Sequence, residues 1–134
     1  MARIIPIIHV DDIDPALEFY TDVLECEIDF VGRDDDGIAF HSGVTFRGAP
    51  LMIGARRNLD MEERDRPPGG LIVQFDLDDD IDRYYERVIA HGVDVTRPIA
   101  DRYWGQRSFQ IHDPFGYHLS FAMDLDNTAA LTSA

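Results

Sequence analysis

Hydrophobic and polar positions along this chain repeat at an offset of 65 residues. Ile7–Phe30 aligns with Ile72–Val95 without a gap, with identities at Ile7/Ile72, Asp11/Asp76, Asp14/Asp79, Tyr20/Tyr85, Val23/Val88 and Asp29/Asp94. Apolar character also agrees at Ile8/Val73, Val10/Phe75, Phe19/Tyr84, Leu24/Ile89 and Ile28/Val93. A period of this length means that one supersecondary unit occurs twice. Each copy opens with a short apolar run, Ile4–Val10 and Leu71–Phe75, bounded by aspartates. Such runs are too short for helices and predict buried strands.

The period then changes to that of a helix. Ala16, Phe19, Tyr20, Val23 and Leu24 form one apolar stripe, and Ile81, Tyr84, Tyr85, Val88 and Ile89 repeat it. Asp14, with Pro15 behind it, and Asp79 or Asp80 are the expected N-caps, and Gly92 is the expected left-handed stop. The aspartate runs at 11–14 and 76–80 therefore read as helix starts rather than metal sites. Strands follow at Cys26–Arg33, Gly37–Phe46 and Pro50–Ala55, joined by DDDG and RGAP turns. The second copy gives Asp94–Ile99, Gln106–His112 and Tyr117–Ala122, with Asp113-Pro114-Phe115-Gly116 as a tight hairpin. The expected fold class is α+β: tandem βαβββ modules over 4–55 and 71–123, a charged linker over 56–70, and a frayed tail over 124–134.

Charge narrows the partners. Twenty-six Asp and Glu stand against twelve Arg, with no Lys, for a formal charge of −14. Such a surface repels phosphate backbones and anionic headgroups, so neither nucleic acid nor a membrane surface is expected as partner, whereas cations are attracted. Cys26 is the single cysteine and cannot form an internal disulfide. The opening MARIIPIIHVDD turns acidic too soon for a secretory signal, and no apolar stretch nears membrane-spanning length. The expected location is the cytoplasm.

Two motifs carry a resemblance. The helix opening Asp12-Ile13-Asp14-Pro15-Ala16-Leu17-Glu18-Phe19-Tyr20-Thr21-Asp22-Val23-Leu24 and the closing hairpin Phe109-Gln110-Ile111-His112-Asp113-Pro114-Phe115-Gly116-Tyr117-His118-Leu119-Ser120-Phe121 resemble those of the vicinal oxygen chelate superfamily. The superfamily includes glyoxalases, extradiol dioxygenases, fosfomycin-modifying enzymes and bleomycin resistance proteins. The resemblance implies cup-shaped mixed sheets around a ligand cavity and a homodimer. It does not fix a function, because the fold hosts metalloenzymes and metal-free binders alike.

The superfamily's enzymes hold a divalent metal with His and Glu side chains, which polarises vicinal oxygens of the substrate. Matched to that pattern, the ligand positions carry Ile5, Met52, Gly70 and Ser120, none an ordinary ligand. No metal and no cofactor are therefore expected. His9, which shares strand parity with Ile5 and Ile7, and His41, which sits mid-strand, are the best candidates to meet a ligand or move a proton, and His118 shares parity with Ser120. His91 ends a helix and His112 precedes a turn.

Within the superfamily, Trp104-Gly105-Gln106-Arg107-Ser108-Phe109 before His112-Asp113-Pro114 is similar to a block of the bleomycin resistance proteins. Asp29-Phe30-Val31 resembles their aromatic strand. The resemblance implies sequestration of a ligand that is flat, cationic or both, with Phe30 and Trp104 as aromatic walls, and the negative charge of this chain suits a cationic guest. Met52 and Ser120 would line the cavity, and Arg107 is expected to pair with a carboxylate. The leading expectation is a metal-independent binder of a small molecule. The alternatives are a glyoxalase-like metalloenzyme with displaced ligands such as His9 and His41, and a cofactor-free isomerase or lyase with His9 as base.

Overall fold

In the computed structural model, which describes residues 1–125, the two copies form separate units dividing between Pro68 and Gly69. The first holds β1 (Ile7–Val10), α1 (Ile13–Glu18), β2 (Glu27–Arg33), β3 (Ala39–Phe46) and β4 (Ala49–Ala55), followed by α2 (Met61–Arg64). The second holds β5 (Ile72–Leu77), α3 (Ile81–Ile89), β6 (Asp94–Asp101), β7 (Gln106–His112) and β8 (His118–Asp124). Each sheet is mixed and four-stranded, ordered β1-β4-β3-β2 and β5-β8-β7-β6, with one parallel pair, β1 with β4 and β5 with β8. The α+β class and the two βαβββ modules stand as read.

Period two assigns the faces. In the first unit Ile8, Val10, Val44, Leu51 and Ile53 are buried on the side that carries α1, whose Ile13, Ala16 and Leu17 are buried too. In the second, Val73, Phe75, Phe109, Leu119 and Phe121 are buried on the side of α3, whose Ile81, Tyr84 and Val88 are buried. Phe121 stacks between Phe75 and Phe109 at centroid distances of 5.4 and 5.1 Å. Among the described residues no helix is long and apolar enough to cross a membrane.

Several boundaries differ from expectation. The first strand begins at Ile7 rather than Ile4; before it, only the Pro6 carbonyl joins the ladder, accepting from Met52 N–H at 3.0 Å. Proline has no N–H to continue the pairing. The first helix is not one uniform stripe. After Glu18 it widens into a π-helical turn over Phe19–Val23, and Leu24 N–H reaches back five residues to the Phe19 carbonyl at 3.3 Å. The widening leaves Val23 half-buried while Tyr20 and Leu24 stay in the core.

The caps differ as well. Asp12 is the first N-cap, without a side-chain bond, and Asp14 lies inside the first turn. Asp80 caps α3 in a left-handed conformation, with its carboxylate near Arg83 and Arg87 rather than on a backbone amide. Gly92 ends that helix at φ +76°, as expected. The linker holds structure of its own: a 3-10 turn at Arg56–Asn58 precedes α2, where Asp60 accepts from Glu63 N–H at 3.0 Å. Arg56 and Arg64 donate to backbone carbonyls of this stretch, which orders a segment that composition marks as solvated.

The hairpins follow their residues. Arg47 and Gly48, at φ +47° and +87°, make the two-residue turn between β3 and β4. Asp113 Oδ1 accepts from Phe115 N–H and Tyr117 N–H at 2.9 and 2.8 Å, and Gly116 closes that turn at φ +96°. β6 runs on to Asp101 past Pro98, with register breaks between Val95 and Arg97 and between Arg97 and Ala100. Proline is tolerated there because β6 is an edge strand. Asp124, where fraying was expected to begin, ends β8, and positions 126–134 of the tail lie outside the described residues.

Candidate functional site

Opposite α1, the first sheet presents its other face, and four of the six residues singled out from sequence share it. Register aligns them in two rows across the strands. His9, Gly54, His41 and Gly32 are successive partners, as are Ile7, Met52, Gly43 and Phe30. The Phe30 and His41 rings have centroids 5.2 Å apart, and Phe40 approaches His41 at 4.4 Å. Phe30 is 40% exposed and Ile7 55%, so this face is aromatic and apolar and yet open to a guest.

The rings lie over glycines. A Cβ built on Gly43 would stand 2.5 Å from Phe30 Cε1, and one on Gly54 would stand 3.0 Å from His9 Cδ2. A Cβ on Gly32 would collide with His41 Cε1. Burial, and secondarily the Arg56 guanidinium, lower the His9 pKa below the usual histidine value, so its imidazole is neutral at pH 7.

Sequence reasoning missed one residue of this face. Between Ile28, opposite Val44, and Phe30, opposite Gly43, the ladder shifts register, and Asp29 is the extra residue of a β-bulge. Thr45 Oγ1, on the open face, donates to Asp29 Oδ2 at 2.6 Å, which brings the carboxylate to the side where Phe30 lies. Strict alternation would have sent Asp29 to the opposite face. Nothing in the composition of the strand marks the bulge. The glycines interior to these strands are the sequence signal of a close approach on this face.

Trp104 and Ser120 belong to the second unit. Trp104 sits in the turn between β6 and β7, 39% exposed, with its indole N–H donating to Gln106 Oε1 at 3.1 Å and Tyr103 edge-on at 4.9 Å. Ser120 is buried, and its Oγ donates to Gln74 Oε1 at 3.0 Å, while Gln74 Nε2 donates to Asp76 Oδ1 at 3.0 Å. The same face carries His118, 3.1 Å from Thr96 Oγ1, and His112, 3.6 Å from Asp94. Burial, then His112 and Arg97, hold the His118 pKa down. Arg107 pairs with carboxylates, as expected: Nε meets Asp82 at 2.8 Å and Nη1 meets Asp101 at 3.0 Å.

The positions that would hold a metal do not fit one. Ile5 precedes β1, Gly70 lies in a left-handed bend before β5, Met52 offers only a thioether, and the Ser120 hydroxyl is engaged with Gln74. Among the described residues no group of three or more His, Cys, Asp or Glu side chains is placed to hold a metal ion.

Comparison with known proteins agrees with the fold. Residues 3–121 match the family model of the Glyoxalase/Bleomycin resistance protein/Dioxygenase superfamily. An uncharacterized protein of Mycobacterium bovis is 28% identical over 121 residues, covering 86% of this chain and 78% of its own. The crystal structure of a superfamily member from Sphaerobacter thermophilus superposes with a TM-score of 0.75 at 26% identity, covering 92% of this chain and 98% of that one. The structure of TioX from Micromonospora sp. ML1 gives 0.76 at 20% identity, covering 93% and 100%.

Proposed function

The chain belongs to the Glyoxalase/Bleomycin resistance protein/Dioxygenase superfamily, and we propose that within it this protein is a metal-independent binder that sequesters a flat, cationic small molecule. The observation that carries the reading is the open face of the first sheet. Rings of Phe30, His41 and His9 lie there beside Met52 and Ile7, and the bulge adds the Asp29 carboxylate. A π face accepts a flat ring or a cation, and a carboxylate beside it favours positive charge. The formal charge of −14 raises the local concentration of cationic guests. Phe30 is the stacking aromatic of this face, Trp104 is a separate stacking aromatic on the second module, and no bond is made or broken.

Isothermal titration of chelator-stripped protein with bleomycin and with ethidium, in the presence of EDTA, tests the proposal. Saturable binding without turnover is expected, weakened about tenfold in Phe30→Ala and weakened for the cation, not for a neutral flat analogue, in Asp29→Asn. A rise in stability of roughly 3–4 kcal/mol with one divalent metal at a hundred to a thousand times its dissociation constant, joined to chelator-sensitive turnover, would overturn it in favour of a metalloenzyme.

The neutral His9 favours a second reading, a cofactor-free isomerase in which His9 takes a proton from the substrate. Turnover without metal that is lost in His9→Ala distinguishes it from the binder.

A further inference from the structure

We propose that Gly32, Gly43 and Gly54 are positioning residues that seat the rings of His41, Phe30 and His9 against the first sheet and so make its open face a platform for a planar ligand. This rests on the binding role proposed above. Three observations carry it. The glycines that lie inside strands, among the described residues, are these three, all in the first unit and all on its open face. Their backbones are ordinary: the glycines with positive φ are Gly37, Gly48, Gly70, Gly92, Gly105 and Gly116, all outside strands. Conformation therefore does not call for glycine at 32, 43 or 54, and the missing side chain is what matters.

Each of the three also stands directly opposite the ring that covers it. Gly32 partners His41, Gly43 partners Phe30, and Gly54 partners His9 as well as His41. A Cβ at each position meets that ring first, at 2.5 Å for Gly43 and 3.0 Å for Gly54, with Gly32 closest of all to His41. A ring laid on a bare backbone covers the gap that a strand glycine leaves. It also stays low on the sheet, so a guest can lie along the rings instead of meeting their edges. Alanine at any of the three keeps the strand and lifts the ring.

Two readouts follow ring position without a ligand. In a double-mutant cycle, Gly43→Ala lowers the melting temperature when Phe30 is present and leaves it unchanged or raised in the Phe30→Ala background, where alanine suits a strand better than glycine. In Gly54→Ala, the His9 imidazole followed by NMR titrates closer to the usual histidine value, because the lifted ring is better hydrated, and His118 is unmoved. Ethidium affinity, the third readout, falls about three- to tenfold in Gly43→Ala. Equal destabilisation by Gly43→Ala with and without Phe30, or an unmoved His9 in Gly54→Ala, overturns the seats. Ring coupling in a protein whose wild type binds neither ethidium nor bleomycin upholds the seats and overturns the binding reading instead.

Discussion

Arg33 grips Asp14 by both carboxylate oxygens, Nη2 to Oδ1 at 2.8 Å and Nη1 to Oδ2 at 3.0 Å, while Nη1 also donates to the Gly37 carbonyl at 3.0 Å. One guanidinium thereby ties the end of β2 to the first turn of α1 and to the turn before β3. The hydrogen bonds from Arg33 hold the Asp14 carboxyl below the usual aspartate range. A depressed carboxylate stabilises the fold above its unfolded pKa, and that contribution disappears as pH falls through the folded value. Arg33→Gln should therefore lower the melting temperature slightly at pH 7, with a smaller loss at high salt because both partners are exposed. Thermal melts from pH 7 to below about 3 should show wild type and variant converging; a constant gap would mean the fork is not the cause.

The lowered pKa of His9 has the opposite charge type and the same direction in pH. Its unfolded form binds protons more readily than its folded form, so stability is full above the ordinary histidine pKa of about 6.5 and falls as pH drops toward the folded value. His118 acts in the same sense. Urea unfolding at pH 7.5 and 5.5 should show a loss of stability on acidification that is smaller in His9→Gln. An unchanged slope in the variant would show that burial does not penalise the His9 imidazolium.

The stack of Phe75, Phe121 and Phe109 is the centre of the second module's core, and Phe121 is fully buried between the other two. Phe121→Ala should cost about 3–5 kcal/mol by denaturant titration, enough to cancel much of a small domain's stability. Phe121→Leu, which keeps most of the volume, should cost less than half as much. Equal losses would point to ring stacking rather than volume as the source.

Cys26 is buried, and burial, reinforced by the Asp29 charge, pushes its thiol up to about 12. The thiolate is the reactive form, so the native protein should resist a thiol reagent at pH 8 and react fully in denaturant. Rapid native labelling would mean that the β2 end opens readily.

Much of this fold is legible in sequence because the core obeys two clean periods. The Gln106–His112 strand and the Asp113–Gly116 hairpin appear where their residues put them, since an Asx turn and an alternating strand are both decided locally. The π-helical turn at Phe19–Val23 is not decided locally. Tyr20 and Leu24 are both buried there, but residues four apart share a face of an ordinary α-helix as well, so the apolar stripe is the same with or without the widened turn. The same holds at the site. Parity turns His9 to the side of Ile7, and the register of the strands then brings His41 and Met52 to the same face, but the bulge that brings Asp29 beside Phe30 breaks parity and leaves no residue-type signature.

Pro98 and the two register breaks of β6 carry a consequence for how the chain behaves in company. An outermost strand offers a free row of amides and carbonyls to which any extended chain can add, the usual first step toward fibrous association. Along β6 the proline removes one amide, and the pairing of the strand with β7 twice falls out of step. Bulges and a proline bend an edge strand away from regular pairing, so this border of the second sheet is a poor template for an added strand.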